Sequence, residues 1–309
     1  MNRDEKFAIA ARVVTSIIFG CSFIFSKEAL SYITPIQLLS YRFFVAAFLL
    51  YLLKRLKIIN INVSLERLNE MRPLLLVSFF QPIAGYYFEM QGIKRLTAAE
   101  SGIMLALIPI IVTVMGVWVL KEKPNHKQVS FIALSFVGVL FILVIKDTSF
   151  ANISISGSIF LLISAVFSGA YNILSRKVST QFTYIDITYV MMVSGAIFYN
   201  VLNLMNCIIT QSIESYVMLF QNQSIWIPAI YLGMISSVAG FLLTNYSLSK
   251  MTAFRVAIFN NLATVIAIIA AILIRKDPFS YLQIIGTIMI MIGVWGVNYF
   301  GYKNTQRKP

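Results

Sequence analysis

Long apolar stretches separated by short polar connectors run through the whole chain, at roughly 12–33, 36–53, 74–93, 96–120, 128–145, 157–175, 185–208, 226–248, 251–274 and 280–300. Each approaches the about 20 residues a helix needs to cross hydrocarbon and far exceeds the about ten alternating residues of a barrel strand. The pattern predicts an all-α membrane protein with ten transmembrane helices. Its connectors, at about ten residues each, leave no room for a sizeable soluble domain. The first stretch occupies the place of a signal peptide, and IFGC at 18–21 loosely resembles a lipoprotein cleavage box. Asp4 and Glu5 stand where a basic segment belongs, however, and nine further stretches follow, so it reads as a span.

Composition agrees with that pattern. Of 309 residues, 59% are hydrophobic and 12% charged, with mean hydropathy +0.81. A soluble domain carries about 25% charge, so there is too little to cover a water-soluble enzyme. The net charge of +13 comes from basic residues in short clusters between apolar runs, with no basic stripe interleaved with stacking aromatics. Anionic headgroups of the lipid bilayer are therefore the expected partners, and nucleic acid is not. Seventeen of the 25 Lys and Arg fall at the amino terminus, the even connectors and the tail, six fall in the odd connectors, and Arg42 and Arg255 lie inside spans. Basic residues are retained on the inner side, and with an even number of spans this predicts both termini in the cytoplasm. Trp118 and Trp226, near span ends, suit interfacial anchors. Cys21 and Cys207 lie in separate apolar stretches without metal-ligand spacing.

The second half of the chain repeats the first. At an offset of 155, GYYFEMQGIKRLTAAESGIMLAL lies over GFLLTNYSLSKMTAFRVAIFNNL without a gap, and the register continues downstream with Lys121 on Lys276, Glu122 on Asp277, Gln128 on Gln283 and Gly138 on Gly293. Upstream the offset is 149, pairing Gly20 with Gly169, Ser26 with Ser175 and Thr34 with Thr183. The difference of six residues fits in the polar stretch QSIESYVMLFQNQS. The repeats cover 1–150 and 151–309. Five spans per copy is an odd number, so the copies insert in opposite orientation. Two inverted five-helix repeats place a cavity at their interface, with two openings related by a pseudo-two-fold axis in the membrane plane.

With these features in view, the chain resembles the EamA-type ten-span members of the drug/metabolite transporter superfamily over residues 12–300. FGCSFIFSKEALSYITPIQLLSYRF is similar to the family's first hairpin, with Pro35 and Arg42 at the expected spacing and Phe19 where many members have Trp. LTAAESGIMLALIPI, Pro109, the LKEK at the end of the fourth span and Gly138 fit the first copy, while the second has Thr264 for the proline and Asp277 for the glutamate. The resemblance implies an inner-membrane secondary carrier of a small metabolite, commonly an exporter of amino acids or related compounds.

Charges within spans are costly and merit functional hypotheses. Glu89 and Glu100 face one hairpin, each about 6 Å from the nearer span end at 1.5 Å per residue. Each is a candidate for contact with an ammonium group or for proton coupling, against pairing with Lys94 and Arg95. Arg42, deeper in the second span, calls for a carboxylate or carbonyl partner. Arg255, the repeat mate of Glu100, is expected to snorkel to the cytoplasmic interface, with an inner-gate role as the alternative. Glu100, Arg42 and Arg255 form the gating or proton-coupling set. Gln81 and Ser236, which are repeat-related, together with Asn172, Asn245, Asn260 and its neighbour Asn261, are candidates to line the cavity beside Glu89. Helix-to-helix ties are the alternative for such residues. Tyr86, Tyr171 and Tyr246 would supply apolar or cation–π walls. Pro82 and Pro109 predict kinks. Gly286, Gly293 and Gly296 fall near one face of the tenth span, as tight helix contact requires.

No phosphate loop of the GxxxxGK[ST] type occurs, so transport without ATP and without a cofactor is expected. A membrane enzyme lacks reactive groups: no His lies in a span, and Glu66 and Glu70 sit in a basic connector with nothing to complete a metal site. No filter motif or charge ring marks a channel. The expected mode is alternating access by a monomer or weak homodimer. The second cargo class is a quaternary amine or cationic drug, motivated by Glu89 beside Tyr86 and Tyr87.

Overall fold

A computed structural model of the chain describes residues 3–63, 68–96, 101, 104–144, 154–211, 223–275 and 281–305. They form an all-α bundle of ten spans. The first two are α1 (Arg3–Ala29) and α2 (Pro35–Arg55). The third is broken, α3 (Leu68–Ser78) passing through a π-type segment Phe79–Ala84 into α4 (Gly85–Arg95). α5 (Ile108–Val119) and α6 (His126–Val144) complete the first copy. The second begins with α7 (Ile155–Val178) and α8 (Tyr184–Ile209). Its eighth span is broken like the third, α9 (Gln223–Ile230) passing through Tyr231–Ala239 into α10 (Gly240–Lys250). α11 (Ala253–Ala257), α12 (Phe259–Arg275) and α13 (Tyr281–Thr305) end the chain. Five stretches, 3–29, 35–55, 155–178, 184–209 and 225–250, run 21 to 27 residues with hydropathy of 1.5 to 2.0, enough to cross a bilayer.

The copies share their punctuation. Thr34 and Thr183 cap α2 and α8 in the same way, each side-chain oxygen accepting from the backbone N–H three residues on while Gln37 or Asp186 reaches back to the cap. This reciprocal arrangement satisfies two orphan helix-end donors, and Pro35 needs no partner at the first helical position. The third and eighth spans break at related places. At the first break Gln81 is extended (φ −151°, ψ 121°), and Pro82 removes a backbone donor. Carbonyls near this break are met by side chains: the Tyr199 hydroxyl donates to the carbonyls of Pro82 and Ile83, and Ser164 donates to that of Gly85 at 3.0 Å. Backbone irregularity at membrane depth requires such partners. In the fourth span residues 101, 104 and 105 are helical, a turn falls at 106–107, and α5 starts at Ile108 with Pro109 in its first turn, so the helix is interrupted at the expected proline.

Packing follows the pseudo-two-fold. α1 lies against α10 and α12 of the second copy, and its mate α7 lies against α4 and α5 of the first. α2 packs on its own mate α8, as α6 does on α13. The two copies therefore interdigitate. Lipid tails are as apolar as leucine, so close contact between membrane helices relies on small residues. At the α6–α13 seam a Cβ on Gly138 would stand 2.7 Å from the Gly286 carbonyl oxygen, and one on Gly293 would stand 2.6 Å from the Ser135 Cβ. Large apolar side chains such as Trp118, Ile209 and Trp295 remain on the outside, where lipid covers them.

Candidate functional site

One central cavity, of about 860 Å³ of empty space including its mouth, opens between the copies. Eight repeat-related pairs line it: Phe19 and Ser168, Ser22 and Tyr171, Phe23 and Asn172, Gln81 and Ser236, Tyr86 and Phe241, Glu89 and Thr244, Leu105 and Asn260, and Ile108 and Ala263. The cavity therefore sits on the pseudo-symmetry axis. Its walls are nonetheless chemically unequal, because several mates differ in polarity.

Of the residues singled out from sequence, Glu89, Tyr86, Gln81, Tyr171, Asn172, Ser236, Asn260 and Arg42 line this cavity. Asn245 lies behind it, fully buried, accepting from the hydroxyls of Tyr171 and Ser175 at 2.7 Å and donating to Thr188 at 2.9 Å. Asn261 also lies outside it, donating to Ser135 at 3.0 Å. Glu100 lies outside the described residues. Arg255 is elsewhere, at the end of the bundle that carries the amino terminus. Instead of snorkelling it is buried, pairing with Glu5 at 3.0 Å and donating to Asn298 at 3.3 Å. Its position in the short α11, packed against α5, α10 and α13, encloses it in protein.

Glu89, on the cavity face of α4, makes no hydrogen bond or ion pair among the described residues. Of the alternative pairings, the one with Arg95 does not form, since that side chain turns to the carbonyl and side-chain oxygens of Gln91. Among the described residues Arg42 hydrogen-bonds to neither a carboxylate nor a carbonyl. Its Nε donates to Ser237 at 2.7 Å, and its Nη2 donates to Tyr86 at 2.8 Å and Ser236 at 3.0 Å. The guanidinium also lies over the Tyr86 ring, 4.2 Å from its centroid, where the ring quadrupole favours a cation. Ser236 in turn accepts from Ser22 at 2.9 Å, joining α1, α2, α4 and the eighth-span break through one polar network. Phe241 stands between Tyr86 and Tyr171, with ring centroids 6.0 and 5.7 Å away, and forms an aromatic partition inside the cavity.

A further charged wall residue escapes the reading of the sequence: Arg12. Counted there with the basic amino terminus, it is 2% exposed and lines the cavity, about 14 Å along α1 from Arg3. It donates to Thr244 at 2.8 Å and to Asn260 at 3.1 Å. The missed signal is the apolar run FAIAARVVTSII, in which the charge is flanked on both sides.

Beyond Arg12, toward the amino terminus, side-chain ties join the copies. Glu122 accepts from Arg176 at 3.3 Å and from the backbone N–H of Ala253, at the start of α11, at 2.9 Å. Arg176 also donates to the last carbonyls of α10, those of Leu248 and Ser249. Lys250 pairs with Asp4 at 2.8 Å, and the Ser247 hydroxyl donates to the Ala8 carbonyl at 3.0 Å. The cavity lining stops short of this layer and extends the other way, to Ser26 and Ile93.

Comparison with known proteins agrees with this architecture. An uncharacterized transporter of Bacillus subtilis, YcxC, is 31% identical over 307 residues, covering 99% of this chain and 97% of its own length. A probable amino-acid metabolite efflux pump of Salmonella typhimurium is 24% identical over 307 residues, with 98% and 97% covered. One from Escherichia coli is 22% identical over 306 residues, with 97% of each covered. A solved crystal structure of 14% sequence identity superposes with a TM-score of 0.69 over 93% of this chain and 98% of that one, which speaks to the fold. The EamA-like transporter family model matches twice, at residues 6–144 and 155–299, once on each five-helix copy. The chain is a membrane transporter that belongs to the EamA-like transporter family.

Proposed function

We propose that this chain is a secondary transporter that exports a small metabolite, an amino acid or a related compound, by alternating access. The observation that carries the reading is the cavity built from eight repeat-related pairs, with a layer of side-chain ties at its amino-terminal end. Inverted symmetry provides an equivalent exchange of contacts at the other end, so a rocking of one copy against the other opens each mouth in turn. The names of the Salmonella and Escherichia relatives support amino-acid metabolites as cargo and efflux as direction. The excess of basic residues on the side of the termini supports an inner-membrane orientation with both tails in the cytoplasm.

In this scheme Glu89, Tyr86, Gln81, Tyr171, Asn172, Ser236 and Asn260 form the cargo wall, with Asn245 orienting Tyr171 from behind. Arg42 holds the break in the eighth span to α2 and α4. Arg255, with Glu5, belongs to the inner gate together with Glu122 and Arg176. Glu89, which makes no hydrogen bond or ion pair among the described residues, is the group that exchanges a coupled proton or meets an ammonium group. That same feature, beside the Tyr86 ring, favours a quaternary amine as the competing cargo. The test is flux in sealed proteoliposomes under an imposed proton gradient, with a panel of amino acids and choline-like cations. Saturable, gradient-dependent amino-acid flux is expected. Flux of choline alone would select the competing cargo, and ohmic conductance would replace carrier by pore.

A further inference from the structure

Burying a charge is costly unless it is paired and hydrogen-bonded, and the usual partner of a buried arginine is a carboxylate. Arg12 has none among the described residues. A guanidinium offers five N–H donors. Those of Arg12 reach one hydroxyl and one amide oxygen, both neutral, and its Nε has no partner at all. Arg42, by contrast, donates to three hydroxyls and rests on a ring. Arg12 is therefore the cavity cation whose coordination is least complete, and it stands beside Thr244 and Asn260 at the deepest part of the lining, next to the tied layer.

We infer that Arg12 is the anion anchor of the transport site and that the cargo carries a free carboxylate, which docks on this guanidinium. The assignment rests on the carrier reading above and narrows it. A planar guanidinium recognises a carboxylate through two parallel N–H···O bonds, a geometry that a carboxamide or an ester cannot reproduce at full strength. Charge balance points the same way. Among the described lining residues, Arg12 and Arg42 face one carboxylate, Glu89, so an incoming anion completes the balance and an incoming cation worsens it. Tyr86, Phe241 and Tyr171 form an aromatic partition in the same cavity, so the remainder of the cargo meets rings. Docking at Arg12 also places the cargo against α1 and α10, which the gate ties together through Asp4 and Lys250 and through Ala8 and Ser247.

The test uses the purified full-length protein in proteoliposomes, with the twenty amino acids and their carboxamides as matched probes and choline as the cationic probe. The wild type is expected to move at least one acid more than tenfold faster than its amide. Arg12→Gln is expected to bring that ratio to within about twofold of unity, and Arg12→Lys to keep an intermediate ratio. Monodisperse elution of each variant from a sizing column establishes folding, and the acid-to-amide ratio in the wild type needs no variant. Amides or choline moved as fast as acids by the wild type, or an Arg12→Gln variant that keeps the full ratio, would overturn the assignment while leaving the carrier intact. Absence of saturable flux for every probe would overturn the carrier reading and this assignment with it.

Discussion

Among the described residues three arginines are almost fully withdrawn from solvent, and the amino-terminal layer and the cavity treat them differently. At the amino-terminal end Arg255 meets the Glu5 carboxylate and the Asn298 amide. It leaves one nitrogen bare, but its charge is answered by a resident anion. In the cavity Arg42 and Arg12 meet only hydroxyls, an aromatic face and an amide oxygen. A cation with a fixed counter-ion is a tie, and removing the anion leaves an uncompensated buried charge. A cation supplied only with neutral dipoles is held in position, yet its charge remains available to a mobile counter-ion. On the proposed reading, the contrast separates a closing device from a receiving one within a single helical bundle.

The largest effect that would break this comparison lies at Arg12. Arg12→Met is expected to lower carboxylate flux on the order of 10- to 100-fold, the range of charge-assisted hydrogen bonds, while leaving the melting temperature unchanged or raised, because replacing a buried charge by an apolar side chain is often neutral or stabilising. Flux in proteoliposomes and thermal unfolding in detergent report the two halves. A large loss of stability without a change in cargo discrimination would make Arg12 another tie.

The gate responds in the opposite sense. Glu122→Gln removes the charge that meets Arg176 and weakens the grip on the Ala253 N–H. It is expected to favour opening of the amino-terminal end by up to about fivefold, since the pair is partly solvated and worth about 1 kcal/mol at most. Cargo discrimination stays as in the wild type. Thiol accessibility of Ala8→Cys, buried behind this layer, measures the opening. Unaltered labelling would remove Glu122 from the gate.

The smallest effect concerns Glu89, the one carboxylate among the described lining residues. Glu89→Gln is expected to change flux only a few-fold at the acidic end of the range and to flatten its dependence on an imposed proton gradient. The measurement is initial rate against pH on each side of the vesicle. A slope identical to that of the wild type would remove Glu89 from coupling.

Much of the fold is legible in the sequence because lipid imposes a simple rule. Ten apolar stretches, an offset match and a five-span unit lead to the observed interlocking of α1 with α10 and α12 and of α7 with α4 and α5. Helix ends are less legible. Met104 to Leu107 are as apolar as a span interior, so nothing in hydropathy separates the turn at 106–107 from the helix that starts at Ile108. Site residues divide by mechanism. Gln81, Ser236 and Glu89 stand out as polar within apolar runs and do line the cavity, whereas Asn245 and Asn261, with the same signal, bond to neighbouring helices. Periodicity alone does not distinguish these fates, because both faces are turned away from lipid. Arg12 was hidden by its nearness to a basic terminus, and Arg255 by the assumption that a charge near a span end reaches water. In both cases a neighbouring helix reaches the side chain before solvent does. With Arg12 withdrawn from the basic terminus, the excess of positive charge on that side still stands.

The central claim is that one chamber between the copies communicates with the two compartments in turn. Its most direct test places a single thiol at Ser22, on the cavity wall, in a chain whose Cys21 and Cys207 are replaced by Ser, and labels it with a membrane-impermeant reagent from each side of oriented vesicles. The account predicts labelling from the side opposite the amino terminus in the wild-type gate, and added labelling from the amino-terminal side once Glu122→Gln is introduced. Labelling from neither side under any condition, or labelling rates from the two sides that Glu122→Gln leaves unaltered, would contradict it.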